Sequence, residues 1–271
     1  MKFRIRTTLF LLVLLPFMST AGWVITGRYI DRDGNTILKR YFIQDNNIKV
    51  EQYNLIYSLN LKTQDITLVD PENLVYTVTT FKEYAEKIKS IKLNRLRILL
   101  DDIPPGEREI YNKEYKTQIE NEVFLPFYNS DSLSIEKVTD TLKLLGFHTS
   151  KYTVSENGNL KEELFYTNDV GFSADMDLKA FMPYVYLLEP EDQTTFYRSS
   201  KKYIDLVQKG LVIRRFIIGS DYRAEWQVNK VEQKNIPAYE FYTPSLCKKL
   251  TLDGWFARQK NAENTLYDDY E

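Results

Sequence analysis

The feature that most constrains this chain is a run of six short segments between Trp23 and Thr79, each rich in β-branched and aromatic residues and each bounded by turn-forming ones. They are Trp23 to Ile30, Thr36 to Gln44, Ile48 to Tyr53, Tyr57 to Leu61, Asp65 to Val69 and Leu74 to Thr79. Ile48 and Val50 alternate with Lys49 and Glu51, and Tyr57, Leu59 and Leu61 alternate with Ser58, Asn60 and Lys62. Successive side chains of a strand point to opposite faces, so this period of two predicts strands with one buried and one wet face. Asp31-Arg32-Asp33-Gly34-Asn35, Gln44-Asp45-Asn46-Asn47 and Asp70-Pro71-Glu72-Asn73 supply the positive or fixed φ that tight connections need. Neighbouring strands are therefore expected to pair antiparallel, as a meander.

At Thr80 the period changes. Phe81, Tyr84, Ala85 and Ile88 recur at helical spacing, with Lys82, Glu83, Glu86 and Lys87 opposite, which predicts an amphipathic helix running to about Leu100. Thr80 and Glu83 have capping-box spacing. Asp101-Asp102-Ile103-Pro104-Pro105-Gly106 ends that helix, and Glu107 to Glu122 reads as a polar, exposed helix within an insertion near 101–130. Strands follow at Ser134 to Leu144, Phe147 to Val154 and Leu160 to Tyr166, the last two joined through Ser155-Glu156-Asn157-Gly158-Asn159.

Asp175 to Leu188 is an apolar helical stretch carrying Leu178, Phe181, Met182 and Val185, which Pro183 bends or ends. Gln193 to Lys209 is a second helix by its pattern. The pair can cover an apolar cavity as a lid or close an ordinary core, and the bare pattern favours the core. Leu211 to Ile218 and Tyr222 to Gln233 are expected strands, with Ala224, Trp226 and Val228 sharing a face. Ile236 to Phe241 is expected as a short closing edge strand, because Pro237 cannot donate to a ladder. Residues 257–271 form an acidic tail that is expected to be loose.

The N-terminus carries Lys2, Arg4 and Arg6, then an apolar run from Leu9 to Met18, then Ser19-Thr20-Ala21. A positive end, a short apolar core and small residues at the −3 and −1 positions predict a secretory signal, residues 1–21, cleaved after Ala21. A membrane-crossing anchor needs roughly 20 apolar residues, and this run is shorter. No Cys follows it, so lipid attachment at that point is excluded. The mature chain is expected to be a soluble, periplasmic protein with no membrane span.

Charge and composition narrow the chemistry. The net charge of −2 falls to about −5 without the three leader cations, which offers no field for nucleic acid. One His and one Cys remove most metal chemistry, and no cofactor is expected. Cys247 cannot form a disulfide within the chain and has no neighbouring base to activate it. The Asp31-x-Asp33-Gly34-Asn35 turn lacks the further oxygen ligands of a calcium loop, so a hairpin is preferred. Asp101 and Asp102 are adjacent on a helix and do not share a site. His148 lies in a strand and reads as a surface or packed residue before a general base. The residues reveal no catalytic signature, and the chain is read as non-catalytic.

Three stretches carry a family likeness: Gly146-Phe147-His148-Thr149-Ser150-Lys151-Tyr152, Lys209-Gly210-Leu211-Val212-Ile213-Arg214, and Val231-Glu232-Gln233-Lys234-Asn235-Ile236-Pro237 leading to Phe241 and Pro244. With the meander they resemble the periplasmic lipoprotein-carrier (LolA-like) superfamily, over most of residues 23–246. The resemblance implies one α+β domain over 22–256: a strongly curved, open antiparallel sheet, a half-barrel, with helices covering its concave face around an apolar cavity. It further implies a hydrophobic ligand, either a lipid or the acyl chain of a lipidated partner. Cavity or lid candidates are Phe81, Tyr84, Ile88, Leu178, Phe181, Met182, Val185 and Trp226. The insertion near 101–130 departs from the compact carrier, and the Arg that controls the carrier's lid has no placed counterpart. The alternative is an envelope protein–protein interaction or structural module without a ligand cavity.

Overall fold

The computed structural model describes residues 21–52, 54–101, 103–124, 132–171, 175–177, 197–198, 200–219, 223–242 and 245–258. The meander forms as the alternation requires: β1 (Gly22–Ile30), β2 (Thr36–Gln44), β3 (Asn47–Gln52), β4 (Leu55–Asn60), β5 (Asp65–Asp70) and β6 (Val75–Thr80). Two helices follow, α1 (Phe81–Asp101) and α2 (Pro105–Phe124), then β7 (Leu133–Leu144), β8 (Phe147–Glu156) and β9 (Asn159–Thr167). The chain closes with α3 (Lys201–Val207), β10 (Leu211–Ile218), β11 (Arg223–Lys234), the two-residue β12 (Lys248–Lys249) and a last helical turn, α4, at 252–258.

All twelve of these strands join one open sheet in the order β12-β6-β5-β4-β3-β2-β1-β11-β10-β9-β8-β7. Pairing is antiparallel except between β12 and β6, where Lys248 lies opposite Val75 in parallel, so the sheet is mixed. Registers across the meander sort its side chains into rows. One row runs Ile25, Tyr41, Val50, Tyr57, Leu68 and Thr77, and another runs Trp23, Ile43, Ile48, Leu59, Ile66 and Thr79. These rows belong to the core face, where Ile48, Leu59, Ile66 and Leu68 are essentially inaccessible. The row Val24, Phe42, Lys49, Ser58, Thr67 and Val78 lies on the other side of the sheet, the strap face.

The expected half-barrel with helices covering a concave face is not what forms. The architecture is a large open mixed sheet whose core face, among the described residues, is closed in patches by short pieces. Phe81, Tyr84 and Ala85 of the first turns of α1 are buried against the β3–β6 end together with Trp255 of α4. Beyond Ile88, α1 packs with α2 as a helical hairpin instead of continuing over the strands. The physical reason lies in the hairpin's own side chains: those packed with the sheet core are Phe81, Tyr84, Ala85 and Ile88 at the start of α1, while Ile98 and Ile110 stay exposed farther along.

Two further expectations are corrected. Of the Gln193 to Lys209 helix, the described part is helical over α3, where Ser200 is the N-cap, its hydroxyl accepting from the Tyr203 amide at 3.3 Å, and 197–198 form a 3₁₀ turn; residues 193–196 and 199 lie outside the described residues. Ile236 to Phe241 is not an edge strand but a strap ending in a 3₁₀ turn (Ala238–Phe241). Pro237 sets the entry φ of that turn, and Ile236 and Phe241 then bury against Val24 and Phe42. Of the Asp175 to Leu188 helix, only 175–177 are described, as irregular chain tied to the β2–β3 turn by an Asn46 amide to Asp175 carbonyl bond of 2.7 Å. Residues 1–20 of the leader, 125–131 of the insertion and 259–271 of the tail lie outside the described residues.

Candidate functional site

The core face changes character along its length. At the β5–β6 end it is sealed: Tyr84 stacks on Phe256 with ring centroids 5.8 Å apart, and Lys87 pairs with Asp253 at 2.5 Å. Burial, with Tyr57 close by, pushes the Tyr84 phenol well above its ordinary value. The capping box forms as expected, with Glu83 accepting from the Thr80 amide and Thr80 Oγ1 from the Glu83 amide, both at 3.1 Å.

At the β9–β10 end the face is sealed by a polar knot that no spacing in the sequence announces. Glu162 is completely buried. Its Oε2 accepts from Tyr197 Oη at 2.7 Å and from Arg198 Nε at 3.3 Å. Its Oε1 accepts from Tyr203 Oη at 3.0 Å and pairs with Arg215 Nε. Tyr203 Oη also accepts from Arg215 Nη2 at 2.9 Å, and the two tyrosine rings meet edge to face at 5.9 Å. Burial alone would raise the Glu162 carboxyl, but the two guanidinium groups and two phenols outweigh it and hold the group below its ordinary range. Both carboxylate oxygens are occupied from within, so the knot anchors α3 and the 197–198 turn to β9 and β10.

Between these two ends lies a stretch of half-buried aromatics. Trp226 on β11 and Tyr41 on β2 meet edge to face at 5.7 Å across β1. Trp226 fits because Gly27 lies beneath it: a Cβ there would come within 2.7 Å of Trp226 Cζ2 and of the Gln227 carbonyl oxygen. The floor extends through Tyr57 and Leu55 on β4, and Lys39 places its ammonium 5.3 Å above the Tyr29 ring at its margin. Tyr41, Leu55, Tyr57 and Trp226 pack against the core yet retain accessible surface.

The expected cavity residues therefore separate. Phe81 and Tyr84 are buried in the sealed end, Ile88 is partly buried at its margin, and Trp226 stands in the aromatic floor. Leu178, Phe181, Met182 and Val185 lie outside the described residues. A shallow pocket of about 400 Å³ opens where α1 meets α2, beside Arg97 and Arg108, and one of about 30 Å³ sits under Tyr242 of the strap. Neither is lined by any of the expected residues.

The remaining candidates resolve simply. Both Asp31 oxygens are engaged inside the hairpin turn, accepting from the Asp33 and Asn35 amides at 2.9 and 2.8 Å and from Asn35 Nδ2 at 3.0 Å. His148 is a surface side chain, with Nδ1 3.3 Å from Asp169 Oδ2. Cys247 is half-buried and free. Among the described residues no three His, Cys, Asp or Glu side chains gather as metal ligands, and no helix is long and apolar enough to cross a membrane.

No family model and no curated protein matches the chain. Among solved structures it is similar to PNGF-II in its C2 crystal form, at 12% identity and a TM-score of 0.36, with 88% of this chain matched to 32% of that one. It is also similar to an uncharacterized conserved protein from Thermus thermophilus, at 8% identity and a TM-score of 0.42, with 91% of this chain and 99% of that chain covered. The chain thus spans about a third of PNGF-II.

Proposed function

We propose that this is a non-catalytic cell-envelope protein that holds a hydrophobic ligand, a lipid or the acyl chain of a lipidated partner, on the aromatic floor of its core face. The observation that carries the reading is the accessible Tyr41–Trp226 pair seated over Gly27 between two sealed ends. An acyl chain laid on such a floor gains about 0.8 kcal/mol per methylene removed from water, enough for one chain to be bound reversibly. The signal expected at residues 1–21 and the lipoprotein-carrier resemblance support the same reading, and the ligand floor replaces the helical lid that the resemblance implied.

The test is a titration of the chain from Gly22 with a fluorescent fatty acid. Saturable binding is expected, weakened about ten-fold by Trp226→Ala, the scale of one lost aromatic contact. Absence of saturable binding, or equal affinity in the variant, contradicts the reading. His148→Ala is expected to leave binding unchanged.

A further inference from the structure

The strap does more than cover Val24 and Phe42. It crosses the strap face from β3 outward, held by the Lys49–Glu240 ion pair at 3.3 Å and by Ser58 Oγ donating to the Phe241 carbonyl at 3.1 Å. Its chain then passes the β6 edge, where the Lys248 amide donates to the Leu74 carbonyl at 2.7 Å. Along this path three large side chains with apolar bodies stand exposed: Tyr239 is 67% accessible, Tyr242 70% and Leu246 83%. Leu74 is 52% accessible beside the Lys248 pairing, and Val78 is exposed in the cross-strand row that contains Ser58. Five large apolar side chains are therefore exposed along the strap and on β6 and its turn, and Lys248 and Lys249 stand exposed where the chain passes the β6 edge.

We infer that this surface docks on a phospholipid bilayer carrying anionic head groups. Tyrosine sits well at the level of the head groups, with its ring in the apolar boundary and its hydroxyl in water, while a leucine at a loop tip can enter the acyl region. Adjacent lysines add attraction to an anionic surface, each worth about five-fold in partitioning at low salt. The nearby carboxylates Glu240 and Glu51 share Lys49, at 3.3 and 2.8 Å, with Arg40 also 3.8 Å from Glu51, and exposed Glu72 flanks Leu74 in its turn. This surface lies on the opposite side of the sheet from the aromatic floor, so the inference stands apart from the ligand reading.

The test uses the chain from Gly22, which contains every described element, in co-sedimentation with vesicles of phosphatidylcholine alone or mixed with phosphatidylglycerol. Binding to the mixed vesicles is expected, falling as salt rises. The double variant Tyr242→Ser with Leu246→Ser should lose ten-fold or more on both vesicle types. Lys248→Glu with Lys249→Glu should remove the preference for phosphatidylglycerol while leaving the weaker binding to phosphatidylcholine. All four sites are surface positions, and circular dichroism checks that each variant is folded. Wild-type protein remaining in the supernatant with both vesicles, as expected of a surface that instead meets another protein, overturns the inference, as does a Tyr242→Ser, Leu246→Ser variant that sediments like wild type. Fatty-acid binding without vesicles should be unchanged in all these variants; its failure in wild type would remove the ligand reading and leave this one intact.

Discussion

Glu162 shows how much a single residue can decide here. Replacing it with Ala leaves two guanidinium groups, those of Arg198 and Arg215, facing a buried space without their carboxylate. Loss of one partner from such a network costs about 3–5 kcal/mol, and urea unfolding at neutral pH should register a destabilisation of that size. The same residue predicts a pH dependence. Its folded-state carboxyl lies below the ordinary value of 4.5, so its stabilisation is present above that value and is lost as pH falls through the folded-state value. Wild type should therefore lose more stability between pH 7 and acid conditions than Glu162→Gln does, as measured by denaturant titrations at each pH. The sequence does contain a signal for this residue: Glu162 is in phase with Leu164 and Tyr166, and a carboxylate on the buried phase of a strand demands partners. Those partners, at 197, 198, 203 and 215, are too distant along the chain for spacing to reveal them.

At the scale of elements, legibility follows how local the determining interactions are. The first six strands and the start of α1 are readable to within about two residues, because alternation, turn chemistry and the Thr80–Glu83 box all act over a few residues. The box gives a direct check. Thr80→Ala should cost about 1 kcal/mol, and adding Glu83→Ala should cost less than the two single effects together, since the two residues cap reciprocally. The strap is not legible in the same way, because its apolar residues, Ile236 and Phe241, are placed by Val24 and Phe42, some 200 residues earlier in the chain. A second elemental constraint lies between α3 and β10, where Gly210 sits against the end of β9. A Cβ there would press on the Thr167 carbonyl and come within 2.8 Å of Tyr166 Oη. Backbone cannot yield as a flexible side chain can, so Gly210→Ala should destabilise clearly more than Gly106→Ala, whose added Cβ meets nothing within 4 Å. Thermal melts of the two variants make the comparison.

For the whole molecule, the sequence pattern predicts strands and an antiparallel opening meander, but not that all of them join one mixed sheet, nor how its core face is finished. Alternation reports which side chains are buried, whereas the cover depends on where α1 leaves the sheet and on contacts between distant segments, neither of which a periodic pattern encodes. The expected helical lid over a half-barrel gives way to an open sheet with two sealed ends and an accessible aromatic floor between them. Of the expected ligand residues that are described, Trp226 is the one placed in that floor, and Tyr41 and Tyr57 join it through registers that the sequence alone does not fix. The most direct test of the account is photolabelling with a diazirine fatty acid, followed by peptide mapping. Competable label on the peptides that carry Tyr41, Tyr57 and Trp226 is the predicted result; label that unlabelled fatty acid does not compete, or that falls only on the 239–249 segment, would contradict it.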